Sequence, residues 1–189
     1  MNGDYVKYLL LMLLIITVAS AISIMLLFRA RKQRLQKTKT GSSIMPVNGG
    51  NISIFFDKQG NATIIPYVAD LFGSGKATSD IIILNLPYKP GNLGAVIKNA
   101  MISCRKGKPI NSAELMEMLQ ARGWKEFSEG KRNLSVYYKD NKGIVFNTTV
   151  RTAEGAYVFN TRGAEFILPA NADNEIIGST SIELLKRCR

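Results

Sequence analysis

The sequence predicts an α+β chain: an N-terminal transmembrane helix, then a domain of antiparallel strands and helices made of two pseudo-repeated βββα halves. Three observations carry this. Residues 8–28 are a 21-residue run without a charged side chain. Asn51–Asp57 and Asn133–Lys139 match position by position, as Asn-Ile-Ser-Ile-Phe-Phe-Asp and Asn-Leu-Ser-Val-Tyr-Tyr-Lys. Two apolar stripes with helical spacing close the matching units.

The apolar run comes first. At about 1.5 Å per residue it spans roughly 30 Å, the thickness of a hydrocarbon core. Its hydroxyls, Thr17, Ser20 and Ser23, can bond back to a helical backbone. A cleaved signal peptide is the competing reading, since Ala19-Ser20-Ala21 resembles a cleavage site. Against it, only Lys7 precedes the run as a cation, and the run continues past Ala21 to Phe28. Residues 29–39 then carry six cations and no acid, and cationic flanks stay in the cytoplasm. The expectation is a single-pass protein of the plasma (inner) membrane. Residues 1–7 form a short extracytoplasmic N-terminus, residues 29–50 a basic juxtamembrane segment and linker, and the C-terminal domain is cytoplasmic.

The first repeat unit is assigned to residues 51–106. Its first strand leads into the turn Asp57-Lys-Gln-Gly-Asn61 and a second apolar run from Ala62. Asp80–Leu86 is expected as the third strand. Leu93, Val96, Ile97, Ala100, Met101 and Cys104 form the stripe of the closing helix. A connecting helix is assigned to 107–131, with Ser112 as N-cap, Gly123 as its stop, and Leu115, Met118 and Leu119 docking it on the sheet. Trp124 and Phe127 are expected in the core. The second unit, 132–189, repeats the plan: a hairpin around Asp140-Asn-Lys-Gly143, short strands at Gly155–Phe159 and Ala164–Leu168, and a helix with Ile177, Ser181, Leu184, Leu185 and Cys188 on its stripe. Leu84-Asn-Leu-Pro87, Leu93-Gly94 and Cys104-Arg105 recur as Phe166-Ile-Leu-Pro169, Ile177-Gly178 and Cys188-Arg189.

Composition narrows function. The 189 residues hold 25 Lys+Arg, 14 Asp+Glu and no histidine, for a net charge of +11. Histidine-dependent nucleophile systems, histidine general bases and His-containing zinc sites are therefore excluded. Of the excess charge, +6 lies in residues 1–40 and +5 in the rest. Most of it thus reads as a topology signal, with no specific nucleic-acid binding implied. The two cysteines, Cys104 and Cys188, read as reduced core residues.

Gly73-Ser-Gly-Lys76 is not a phosphate loop: a Walker motif needs glycine where Asp70 stands and Ser or Thr where Ala77 stands. It reads as a loop. The acids Asp57, Asp70, Asp80, Glu154, Glu165, Asp173 and Glu175 show no pairing suited to acid–base work, and several fall in turns. No catalytic, cofactor-binding or metal-ligating residue is assigned, no cofactor is expected, and the partner-binding residues stay unassigned.

The order hairpin, apolar strand, Leu-Pro, Leu-Gly, amphipathic helix and Cys-Arg resembles the immunity-protein family of bacterial contact-dependent growth-inhibition (CDI) systems. Gly123-Trp-Lys-Glu-Phe127 leading into Leu134-Ser-Val-Tyr-Tyr138 carries it most closely, continued by Gly155–Phe159 and Phe166–Pro169. The likeness covers roughly 51–189. It implies a non-catalytic cytosolic protein that binds a delivered toxin domain and neutralises it, here tethered to the membrane through 8–28. The alternative is a structural or scaffold component of a membrane protein complex, using the same anchor and a peptide-binding sheet edge.

Overall fold

The computed structural model describes residues 46–69, 75–161 and 165–189. The chain divides into two units, Met1–Ser43 and Ile44–Arg189, and the described residues belong to the second. The run at 8–28 lies outside them. Among the described residues no helix is long and apolar enough to cross a membrane.

The elements run β1 (Asn51–Phe56), β2 (Ala62–Ala69), β3 (Gly75–Ala77), β4 (Ile82–Leu84), α1 (Pro90–Ser103), α2 (Ser112–Met118), α3 (Trp124–Ser128), β5 (Arg132–Lys139), β6 (Gly143–Arg151), β7 (Tyr157–Phe159), β8 (Phe166–Leu168) and α4 (Asn174–Leu185). They build one antiparallel sheet in the order β3-β2-β1-β5-β6-β7, with β4 also on β2 and β8 also on β6. The two halves meet at β1 and β5, where Ser53 faces Ser135, Ile52 faces Val136 and Ile54 faces Leu134. An approximate twofold axis between β1 and β5 thus relates β1–β4 and α1 to β5–β8 and α4.

Each half is ββββα: the first half has one strand more than the βββα plan read from the sequence, while the two short strands read in the second half are present as β7 and β8. Asp80–Leu86 contributes only Ile82–Leu84. Gly75–Ala77, read as part of a loop, is a strand that pairs with Tyr67–Ala69. The reason is length: β2 has eight residues, so β4 lies along Ala62–Ile64 and β3 along Tyr67–Ala69. A three-residue strand opened by glycine carries little local signal of its own.

The alternation of β1 and β5 sorts the two faces. Ile52, Ile54, Phe56, Leu134 and Val136 are buried on one face, under α1 and α4. On α1, Leu93, Ile97, Ala100 and Met101 are buried, and on α4 Ile177, Ser181 and Leu184, with Cys104 and Cys188 buried just past the helix ends. Val96 and Leu185, expected in the same stripes, are only partly buried.

The two helices cross at Gly94 and Gly178. A Cβ on Gly94 would overlap the Asn174 carbonyl oxygen and sit 2.9 Å from the Gly178 nitrogen. A Cβ on Gly178 would overlap the Pro90 carbonyl oxygen and sit 3.0 Å from the Gly94 nitrogen. The repeated Leu-Gly and Ile-Gly pairs therefore mark a backbone-to-backbone contact that only glycine permits. Lys98 reinforces it from α1: buried, it donates from Nζ to the Ala172 carbonyl at 2.8 Å, just ahead of α4.

The connection between halves differs from expectation in four ways. It holds two short helices. The N-cap of α2 is Asn111, whose Oδ1 accepts from the Ala113 and Glu114 amides at 2.9 and 3.0 Å, while Glu114 accepts from the Asn111 amide at 2.8 Å. This reciprocal capping box outcompetes a cap at Ser112. The stop comes at Gln120 (φ +52), whose amide donates to Glu117 while Ala121 donates to Met116. That is a Schellman pair, so the helix ends before Gly123, which instead caps α3. Met118, expected to dock, is 42 % exposed. Replacing Asn111 by Ala should weaken α2 by about 1 kcal/mol. Amide hydrogen exchange over 113–118 should accelerate, with the sheet amides unchanged.

Cys104 and Cys188 are buried free thiols at matching helix ends, as expected from the sequence. The Sγ of each donates to the carbonyl four residues earlier, Ala100 and Leu184. Burial pushes both thiols above the ordinary value of 9.0. A group whose folded-state pKa is raised supports the fold below its unfolded pKa and ceases to as pH rises. A melting series should therefore show an alkaline loss beginning above about pH 9 whose early part is reduced in the Cys104→Ala/Cys188→Ala variant, leaving the later loss from partly buried phenols such as Tyr67. Native thiols should also react with an aromatic disulfide reagent about 100-fold more slowly than denatured ones.

Candidate functional site

The second face of the sheet is where the halves differ. Asn51, Ser53 and Phe55 of β1 and Asn133, Ser135 and Tyr137 of β5 point to it, alternating with the buried apolar residues. On the first half α2 and α3 cover this face. Phe55 is 2 % exposed and meets Trp124, Phe127 and Tyr157 edge-on at ring separations of 5.5, 5.2 and 5.5 Å. Trp124 is fixed by its Nε1, which donates to the Gly155 carbonyl at 3.1 Å. Tyr157 donates to the carbonyl of Lys131 or Ser128 at 2.9 and 3.0 Å. Trp124 and Phe127 are therefore core, as expected, with Trp124 only partly covered.

The second half lacks such a cover among the described residues. By register Ala77 corresponds to Phe159, each paired with the symmetry-related Tyr67 and Thr149. Ala77 is buried, whereas Phe159 is 62 % exposed. Val158, Phe166 and Ile167 join it on β7 and β8. Phe159 and Ile167, paired with Thr149 and Val145, lie on the open face, while Val158 and Phe166 alternate to the other; exposed apolar side chains of this kind mark a protein contact.

Between the covered and uncovered halves lies a groove. One part, of about 690 Å³, runs between β3 and α2. A second, of about 360 Å³, continues over β1 and β5. They share Tyr67, Gly75 and Trp124. The floor of the second part is Asn51, Ser53, Asn133, Ser135 and Thr149. Asn133 is held by the Ile54 carbonyl and Thr149 by the Asn133 carbonyl at 3.4 and 2.6 Å. Burial raises the Tyr67 phenol, against a hydrogen bond with Ser53.

Three of the acids weighed from the sequence serve the fold locally. Asp57 accepts the Asn61 amide and side chain at 2.9 and 2.8 Å. Burial opposes its charge, yet these bonds and those of Gly60 and Gln59 hold its carboxyl below the ordinary value. Asp173 caps α4 by accepting from Ile176 at 2.7 Å. Glu165 accepts from Tyr137 and pairs with Lys142 at 3.3 and 3.4 Å. Asp70 lies outside the described residues, as do Gly73 and Ser74, while Lys76 stands on β3. Among the described residues no group of three or more Cys, Asp or Glu could hold a metal ion. Sequence reading missed the groove and these exposed apolar side chains. The signal available was the repeated Asn-x-Ser alternation of β1 and β5, which sets polar residues on one face of both central strands.

No family model matches this sequence, and no curated protein does. Solved structures do. A protein of unknown function from Neisseria meningitidis superposes with a TM-score of 0.60 at 14 % identity, over 78 % of this chain and all of its own length. A chain of the CdiA-CT/CdiI toxin and immunity complex from Yersinia pseudotuberculosis does so with a TM-score of 0.57 at 12 % identity, over 77 % of this chain and all of its own. At these identities the fold is what is shared: an α+β domain that also occurs in a toxin and immunity complex.

Proposed function

We propose that the chain is a membrane-tethered, non-catalytic binding protein of the immunity type. It captures a toxin domain at the cytoplasmic face of the inner membrane through its C-terminal domain. The observation that carries this reading is the fold likeness to a chain of a toxin and immunity complex. The exposed Phe159 and Ile167 on the open face support it, because a neutralising protein needs an exposed surface on which to bury its partner. The excess of +5 over residues 41–189 favours a partner with an acidic or neutral contact surface. A tether at 8–28 would raise the local concentration of the inhibitor where a toxin enters.

Co-expression with toxin domains encoded beside the gene tests the proposal. Growth should be protected against one of them, and the two proteins should co-purify. Phe159→Asp and Ile167→Asp should each weaken that complex about tenfold or more while leaving the melting temperature nearly unchanged, since both side chains face solvent. Protection against none of the neighbouring toxins would overturn the reading.

A further inference from the structure

The groove on the open face has a chemistry of its own. Its 360 Å³ part is lined by amides, hydroxyls and aromatic rings, with no Lys, Arg, Asp or Glu. That volume lies in the range of small-molecule sites. A lining without ionised groups matches a neutral ligand. Asn and Ser side chains act as donors and acceptors at once, which is what a ligand hydroxyl needs on its partner. Aromatic rings offer broad apolar area beside them, which is what the C–H face of a sugar ring needs.

We propose that this groove is a binding site for a neutral saccharide of one or two rings. Ser53 and Ser135, opposite each other across β1 and β5, supply the central hydroxyl contacts, with Asn51 beside them. Tyr67 and Trp124 form the aromatic walls. Phe159, proposed as a toxin contact, also lines this groove, so the two assignments are separated by variants that each touch one surface: Ile167→Asp for the toxin and Gly75→Leu for the groove.

Two residues make the test direct. Trp124 is the only tryptophan in the chain and lines both parts of the groove, so its emission reports occupancy. Gly75 also lines both parts, and a Cβ there would meet only ordinary contacts, 3.6 Å from the Tyr67 Cβ and 3.9 Å from the Asn51 amide nitrogen. Gly75→Leu therefore fills the groove without straining the strand.

The full-length chain, held in a detergent with a phosphocholine headgroup so that no sugar is present, is titrated with maltose, cellobiose and diacetylchitobiose. Glucose 6-phosphate and adenosine are the comparators. At least one disaccharide should give a saturable change in Trp124 emission, half-complete at or below about 50 mM, a weak but specific affinity. The midpoint should not move between low and high salt. In Gly75→Leu it should rise at least tenfold while the melting temperature holds. No saturation by any disaccharide in that range, a midpoint unchanged by Gly75→Leu, or a response to adenosine alone would overturn the proposal.

Discussion

Gly94→Ala or Gly178→Ala should each cost about 3 kcal/mol or more and lower the melting temperature by roughly 10 °C. An added methyl normally stabilises a helix interior, because alanine outranks glycine there by about 1 kcal/mol. Here that gain is overridden. The methyl would enter the space of a carbonyl oxygen on the other helix, Asn174 in one case and Pro90 in the other. A backbone carbonyl cannot turn aside as a side chain end can, so α1 and α4 must separate. Separation loosens the packing of Leu93, Ile97, Ile177 and Leu184 on the sheet, all of them buried. The two substitutions share one remedy. The double variant should therefore lose clearly less than the sum of the single losses. Chemical denaturation of the full-length chain measures all three. Additive or negligible losses would mean that the helices are not in backbone contact.

That crossing was legible in the sequence as a repeated Leu-Gly and Ile-Gly, but only as a marker of duplication. Its cause is three-dimensional: a glycine on each copy is needed because the copies pack against each other. β1 and β5 stand side by side at the centre of the sheet, each followed by its own hairpin partner. The repeat could have yielded more. Shifting Tyr157–Phe159 back by the spacing of the repeat falls on Gly75–Ala77, the strand that local composition hid. The helix caps were misplaced by a residue or more because Asn111 and Ser112 both suit an N-cap. Only the partner at Glu114, with its side chain turned back to Asn111, decides between them. The groove was out of reach because its wall comes from α3 and its floor from strands on both sides of the axis. No single segment displays it.

Phe55→Ala should be the most damaging single truncation on the open face, at about 3–5 kcal/mol. Phe55 is the point where three separate segments converge: β1 carries it, α3 brings Trp124 and Phe127, and β7 brings Tyr157. Removing the ring deletes three edge-on contacts and opens a cavity that the sheet cannot close, since β1 is pinned between β2 and β5. The register supplies an internal control. Phe55 faces Asn133, and its repeat counterpart is Tyr137, which faces Asn51. Tyr137 is only partly buried, and its hydroxyl reaches Glu165 at 3.3 Å. Tyr137→Ala should therefore cost well under half as much. If α2 and α3 are held on the sheet chiefly by Phe55, its loss should also accelerate hydrogen exchange over 112–128 and shift Trp124 emission to longer wavelength. Equal costs at the two positions, with Trp124 unmoved, would mean that the cover is anchored elsewhere. The asymmetry between duplicated halves would then not originate at this ring.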